Sequence, residues 1–361
     1  MIPVTKPFSP PIAEYTKLLE GIWERNWFTN NGPLVNELEL QIRTYLDIPH
    51  LLYLNNGTIA LQIAIKALGL KGEIITTPFS YVATTSSIVW EGCQPIFVDI
   101  DAQNLNIDPT KIEAAITPFT SAILATHVYG NPCDIDAIQK IADKHKLKVI
   151  YDAAHCFGTL YKGKSVFAYG DISTTSFHAT KLFHTIEGGA VFTMNPELLK
   201  KMAYLRNFGH EGPENFAEVG INGKNSEFHA AMGLCNLKYI EDIKQSRKNQ
   251  SERYSERLIN SSIKFIKINP LCSFNYAYYP IVLENEQLLL RVIAELEANW
   301  VKPRRYFFPS LNTVDIFKTG GALEVSENIA NRVLCLPLYY SLSFEEIDFI
   351  SRILLRAINN K

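Results

Sequence analysis

Between Leu51 and Thr193, short runs of β-branched and other apolar residues recur, each followed by a stretch whose apolar positions fall at helical spacing. The runs Glu73–Thr77, Pro95–Ile100, Ala122–Val128, Lys148–Asp152, Ile172–Phe177 and Ala190–Thr193 read as strands. Tyr81–Glu91, Pro109–Ala115 and Ile135–His145 read as helices between them. Strand and helix in alternation need crossover connections, so the pattern predicts an α/β domain on a mostly parallel sheet. Ahead of it, Tyr15–Trp27 and Leu34–Leu46 have the spacing of two amphipathic helices joined by a turn at Asn30-Asn31-Gly32-Pro33. Beyond it, the spacing predicts one long helical region from Glu227 past Ile240 to Leu258, apolar at first and then charged. Two strand-like segments, Ile263–Ile268 and Tyr276–Leu283, a helix over Gln287–Asn299 and a final helix over Phe344–Ile358 make a small α+β unit. The division expected is a large domain, residues 1–235, followed by a linking helix and small C-terminal domain, residues 236–361.

Composition narrows the function classes. A chain of 361 residues with 47% hydrophobic and 20% charged positions is globular and long enough for two cores. Its 35 Lys+Arg against 37 Asp+Glu give a net charge of -2, which disfavours nucleic acid as a principal partner. No apolar run approaches a membrane span and the start lacks a signal-peptide core, so the expectation is a cytoplasmic protein with no membrane partner. The six cysteines form no C-x-x-C pair, which fits reduced thiols and gives no support to a metal site.

Three clusters carry candidate chemistry. In Lys148-Val-Ile-Tyr-Asp152-Ala-Ala-His155 an apolar strand ends in a carboxylate followed by an imidazole, at the sheet edge where α/β proteins bind ligands. Taken alone, Asp152 reads more readily as a turn cap and His155 as a core histidine. In Ser176-Phe-His-Ala-Thr-Lys181 a lysine follows a strand, with a hydroxyl five residues earlier and the flexible Glu187-Gly188-Gly189 shortly after. A lysine shielded from water or close to another cation has a lowered pKa and can form an imine. In Asn55-Asn56-Gly57-Thr58-Ile59 a turn opens a helix, and free N–H groups at a helix N-terminus favour an anion; an ordinary Asn-Gly turn is the alternative. Together the three supply what pyridoxal 5′-phosphate requires: a lysine for its aldehyde, a carboxylate for its ring nitrogen, and a cradle for its phosphate.

These stretches resemble the DegT/DnrJ/EryC1/StrS sugar aminotransferases. So do Thr29-Asn-Asn-Gly-Pro33, Pro78-Phe-Ser-Tyr-Val-Ala-Thr84, Phe97-Val-Asp99, Glu187-Gly-Gly-Ala190 and Leu334-Cys-Leu-Pro-Leu338, in order over nearly the whole chain. The resemblance implies the aspartate aminotransferase fold (type I) and pyridoxal phosphate (PLP) as cofactor. By the same resemblance Lys181 bonds the cofactor aldehyde and shuttles the proton, Asp152 pairs with the ring nitrogen, Tyr81 stacks on the ring, and His155 sits at the ring's face or phenolic oxygen. Ser176 and the backbone of Gly57, Thr58 and Ile59 hold the phosphate. Family members are homodimers in which an asparagine of the neighbouring subunit reaches the phosphate, and Asn222 is the candidate here.

Tyr306, His184 and Lys224 are the candidates for substrate contacts, with Tyr306 reading nearly as well as a packed aromatic. Two stretches depart from the family's usual pattern. Asn222-Gly223-Lys224-Asn225 lacks the common aromatic and arginine, and Arg305 to Asn312 replaces the commoner Tyr-x-Pro-Leu-His. Ser-Phe-His-x-Thr-Lys is similar to the branch that aminates C4 of a 4-keto-6-deoxy sugar nucleotide. The expected reaction is therefore transfer of the amino group of L-glutamate to a dTDP-linked keto sugar, for an O-antigen or similar surface polysaccharide. Amination at C3, a UDP- or GDP-linked substrate, and a non-catalytic PLP-binding regulator are the alternatives.

Overall fold

The computed structural model describes residues 1–317 and 321–359. Seven strands form the central sheet, in the spatial order Leu51–Leu54, Gly189–Phe192, Ile172–Ser176, Lys148–Asp152, Thr120–Thr126, Glu73–Thr76 and Gln94–Phe97. Five run parallel to their neighbours from Ile172–Ser176 outward, while Gly189–Phe192 is antiparallel to both strands beside it. Helices cover both faces, so strands such as Leu51–Leu54 and Gly189–Phe192 are buried at every position. The α/β class and the mostly parallel sheet agree with the sequence pattern.

Elsewhere the structure differs from the pattern for local reasons. The long helical region is two helices, Glu227–Leu237 and Ile240–Leu258, because Tyr239 leaves helical geometry (φ -104°, ψ 5°). The strand beginning at Tyr276 starts only at Tyr279, since Tyr276 adopts a left-handed backbone (φ 55°) that a strand cannot continue. Pro95–Ile100 shortens to Gln94–Phe97 because Asp99 turns away to bind another segment. Strands Leu51–Leu54 and Val333–Leu336, and helices Pro196–Arg206 and Glu324–Ala330, lie outside the elements expected.

Two buried contacts explain how distant segments are held against the sheet. Helix Pro33–Leu46 buries Leu34, Val35, Leu38, Ile42 and Leu46 along one stripe. Its N-terminal glycine offers no cap, so the fully buried Glu227 supplies one, accepting from Leu34 N (3.0 Å) and Val35 N (2.9 Å). Where Leu38 meets the helix Glu227–Leu237, Gly233 leaves no room for a side chain: a Cβ would lie 2.9 Å from Leu38 Cδ1. The C-terminal part has a separate core, including Leu258, Leu289, Val292, Ile347 and Leu354, around the sheet Lys264–Phe265, Tyr279–Val282 and Val333–Leu336.

The carboxylate of Asp99, at the end of an edge strand, accepts from the N–H of Ile100 (2.9 Å), Val325 (3.0 Å) and Ser326 (2.8 Å) and from Ser326 Oγ (2.6 Å). It thereby caps Glu324–Ala330 and ties the C-terminal part to the sheet. These donors outweigh burial and hold the carboxyl below its ordinary 3.8. Its contribution is present above pH 3.8 and is lost as pH falls through the depressed value. Asp99→Ala strands several buried donors and is expected to cost about 2–3 kcal/mol. Urea unfolding at pH 7 checks this, and an unchanged midpoint would show that the attachment does not depend on Asp99.

Candidate active site

The strand Lys148–Asp152 runs through the middle of the sheet, its apolar residues Val149, Ile150 and Tyr151 buried on both faces. Asp152 comes at its C-terminal end, where strands stop and side chains can face a crevice. The carboxylate is 7% exposed; it accepts from Thr84 Oγ1 (2.6 Å) and from Ala154 N (3.1 Å). Burial pushes this carboxyl up, and Thr84, Ala154 and the positive charge of Lys181 only partly reverse the shift.

After the neighbouring strand Ile172–Ser176, the chain makes a compact loop closed by Phe177 N to Gly188 O (2.8 Å), Thr185 N to Phe177 O (2.9 Å) and Ala179 N to Ile186 O (2.7 Å). Phe183 anchors its underside, stacked on Phe157 with centroids 4.3 Å apart. With Leu182 and Phe183 buried below, Lys181 lines the cavity above, facing Asp152. Burial pulls its amine from 10.5 down to about 8; the Asp152 charge opposes that shift and Arg304 reinforces it. An amine so placed is uncharged far more often near neutral pH than a fully solvated one.

The cavity, about 260 Å³, has an anion end and an aromatic end. At the first, the helix Gly57–Ala67 begins with Asn56, whose side chain accepts from Ile59 N (2.8 Å). The N–H groups of Gly57 and Thr58 precede any intrahelical partner, and Ser176 Oγ lies beside them. Close approach is enforced there: a Cβ on Gly57 would fall 2.8 Å from Ser176 Cβ, and one on Gly189 would fall 2.4 Å from the Asn56 carbonyl. At the other end His155 lies parallel to Phe307 (5.7 Å, 5°) and against Tyr278 (4.6 Å). Burial, with a further push from Lys181, keeps this imidazole neutral, and its buried Nδ1 has no partner among the described residues. Tyr81, 55% exposed, and Tyr306 form walls.

An amine lacking a fixed partner, a buried carboxylate opposite it and free backbone donors at a glycine-lined helix start fit PLP. Lys181, Asp152, His155, Gly57, Thr58, Ser176, Tyr81 and Tyr306 are brought together. Four other candidates are not. The N–H of Ile59 is already used by the Asn56 cap, so it is not free for a phosphate. His184 is turned away under the loop: its Nε2 meets Phe8 O (2.8 Å) and its Nδ1 accepts from Ile186 N (3.2 Å), so both nitrogens are committed to structure. Lys224 points over the Phe208 ring and donates to Asn222 Oδ1 (2.9 Å), and exposed Asn222 lies outside this chain's cavity. Arg304, Phe307 and Thr84 are site residues that the sequence reading did not assign. The signal for Thr84 was its place in the stretch Pro78 to Thr84; for Arg304 it was the pair Arg304-Arg305.

Residues 12–354 match the DegT/DnrJ/EryC1/StrS aminotransferase family. The chain is 43% identical over 353 residues to a dTDP-4-amino-4,6-dideoxy-D-glucose transaminase of Shigella dysenteriae, covering 96% of each. Among solved structures it superposes with a TM-score of 0.94 on DesI in the presence of its TDP-sugar product, at 31% identity, covering 99% of this chain and 93% of that one. It also superposes on NtdA from Bacillus subtilis with its bound cofactor PMP (TM-score 0.88, 30% identity, 97% and 82% covered).

The electrostatics of the amine can be read without turnover. In cofactor-free protein, labelling of Lys181 by an amine-directed reagent is expected to rise with an inflection near pH 8. Asp152→Asn removes the charge that favours the ammonium and should move the inflection down. An inflection near 10.5, insensitive to that change, would refute the picture of a buried, coupled amine.

Proposed function

Because the chain belongs to the DegT/DnrJ/EryC1/StrS aminotransferase family, we propose that it moves the amino group of L-glutamate to C4 of a dTDP-4-keto-6-deoxyhexose. The product of that reaction is dTDP-4-amino-4,6-dideoxyglucose, a precursor for surface polysaccharide such as O-antigen. The convergence of Lys181 and Asp152 on one cavity, with the helix start at Gly57 and Ser176 at its anion end, carries the chemistry. Identity of 43% along nearly the whole of the Shigella dysenteriae relative supports the sugar.

When bound, PLP supplies an aldehyde and an electron-accepting ring that stabilises negative charge at the carbon losing its proton. Lys181 would hold that aldehyde and, as a free amine once the donor has taken its place, would move the proton from the donor's Cα to the cofactor's aldehyde carbon, with the direction reversed in the half that aminates the sugar. Its depressed pKa suits both tasks. Asp152 would pair with the ring nitrogen and keep it protonated, and that ion pair would offset the burial that otherwise raises this carboxyl. Thr84 fixes the carboxylate's direction through its short hydrogen bond. Gly57 N, Thr58 N and Ser176 Oγ would hold the phosphate, while the neutral imidazole of His155 would lie beside the ring. In a homodimer, Asn222 on the exposed loop would reach the partner's phosphate rather than its own. Residues 1–235 then carry most cofactor contacts and residues 236–361 close over the sugar.

Lys181→Ala is expected to lower turnover by several orders of magnitude and to remove the visible absorbance of lysine-bound cofactor. Incubation of the wild-type enzyme and glutamate with dTDP-linked 4-keto and 3-keto sugars, and with GDP- and UDP-linked counterparts, followed by NMR of the products, tests the substrate. Amination at C3, or preference for another nucleotide, would overturn the assignment; cofactor absorbance without amino transfer to any sugar would favour a regulator.

A further inference from the structure

An asparagine side chain binds a phosphate through its amide N–H groups, because its carboxamide oxygen would face the phosphate's own negative oxygens. Asn222 can serve the cofactor of a second copy only if its side chain is held with the nitrogen outward. Its backbone is firmly placed. Asn222 bridges to Asn207, Gly223 N donates to Arg206 O (2.9 Å), and Gly223 O accepts from Asn55 N (3.0 Å), just ahead of the helix Gly57–Ala67. A Cβ on Gly223 would fall 3.3 Å from Ile59 Cγ2 and from Ile63 Cδ1, so the segment packs directly on that helix. The buried Asn225 ties down the other side, donating to Tyr53 Oη (3.0 Å) and Glu187 O (3.0 Å). What the backbone leaves undetermined is the exposed side chain of Asn222.

Lys224 removes that freedom. Its Nζ donates to Asn222 Oδ1 (2.9 Å) and stands 4.6 Å from the centroid of the Phe208 ring. An ammonium has three donors and no acceptor, so it can hold only the oxygen of a carboxamide, and the amide nitrogen then points elsewhere. The ring keeps the ammonium over its face, and the positive charge on the oxygen polarises the amide toward stronger donation. Phe208 and Ile221, joined through their backbones (3.0 Å), are exposed apolar residues beside this pair, a surface suited to being covered by a second copy of the chain. We propose that Lys224 is a positioning residue: it orients the Asn222 carboxamide so that its N–H groups are offered to the cofactor phosphate of a second copy. This assignment rests on reading the chain as a PLP-dependent homodimer with Asn222 at the neighbouring site.

The test measures equilibrium binding of PLP, and of pyridoxal, which lacks the phosphate, by dialysis, with the mass of the assembly followed by sedimentation. Wild type is compared with Lys224→Met, Lys224→Arg, Asn222→Ala and the double variant Lys224→Met/Asn222→Ala. Lys224→Met keeps an apolar stem over Phe208 and removes the donor; it should weaken PLP binding about fivefold or more, and Asn222→Ala about tenfold or more. Pyridoxal binding should stay within about twofold of wild type in both, since neither change touches the ring end of the cavity. Lys224→Arg, which restores a donor, should recover most of the loss. The double variant should bind PLP no more weakly than Asn222→Ala, because a residue that acts through Asn222 has nothing left to orient. Unchanged PLP affinity in Lys224→Met, an equal loss for pyridoxal, or a further loss in the double variant would each overturn the assignment, the last by showing that Lys224 acts as a cation in its own right. A wild type that binds no PLP, or binds it as a monomer, would overturn the homodimeric reading and the assignment with it.

Discussion

Asp152, buried at the end of its strand, and the part-buried Lys181, in the loop that follows the neighbouring strand, share one cavity, and loss of water around each shifts it toward neutrality. Their mutual attraction opposes both shifts without cancelling either. Moving an amine from 10.5 to about 8 corresponds to roughly 3 kcal/mol of disfavoured charge, which the packing around the loop must sustain. The apolar underside of that loop, with Phe183 stacked on Phe157, supplies packing that holds Lys181 up against the cavity. Thr84 performs the matching task for Asp152 from a different helix. Reactive groups are therefore positioned by residues that themselves do no chemistry.

The cavity has a second wall, and it comes from far along the chain. Arg304, Tyr306 and Phe307 arrive on a segment bridged to the strand Val333–Leu336 through Cys335. That strand belongs to the C-terminal core, which Asp99 ties back to the end of an edge strand of the main sheet. Placement of His155 follows from this arrangement, since Phe307 and Tyr278 hold its ring from the C-terminal side while its backbone carbonyl accepts from Asn275 (2.8 Å). The aromatic end of the site thus depends on correct seating of the C-terminal part, even though the sheet provides the acid and the amine.

Much of this was readable in the sequence because it depends on local order. A strand ending in Asp152, a strand followed by Lys181, and a helix opening at Gly57 are each defined by neighbours in the chain, and the sheet brings their ends together without further specification. What the sequence could not supply is direction within a loop. His184 stands three residues after Lys181, yet the loop doubles back at that point and buries the imidazole against Phe8, a partner 176 positions away. Ile59 failed for a subtler reason: the residue that caps the helix, Asn56, consumes one of the donors that the helix start would otherwise offer. Likewise, nothing in Arg304-Arg305 says which arginine is free until the fold places Glu286 beside the second.

That last distinction bears on how a nearly neutral chain handles anionic substrates. With 35 basic against 37 acidic residues, the protein has no overall field to draw in a dicarboxylate or a diphosphate. Selection must be local, and a cation is useful for it only when no internal carboxylate satisfies it. Most arginines and lysines found in ion pairs here lie on the surface, where such pairs contribute little. Arg304 differs because its ring and backbone contacts fix its position without neutralising it. A guanidinium with no carboxylate partner among the described residues also raises the local positive charge beside the lysine, which favours the uncharged amine. One cation fixed in this way can therefore help keep the neighbouring lysine reactive, and that effect requires no charge bias in the rest of the chain.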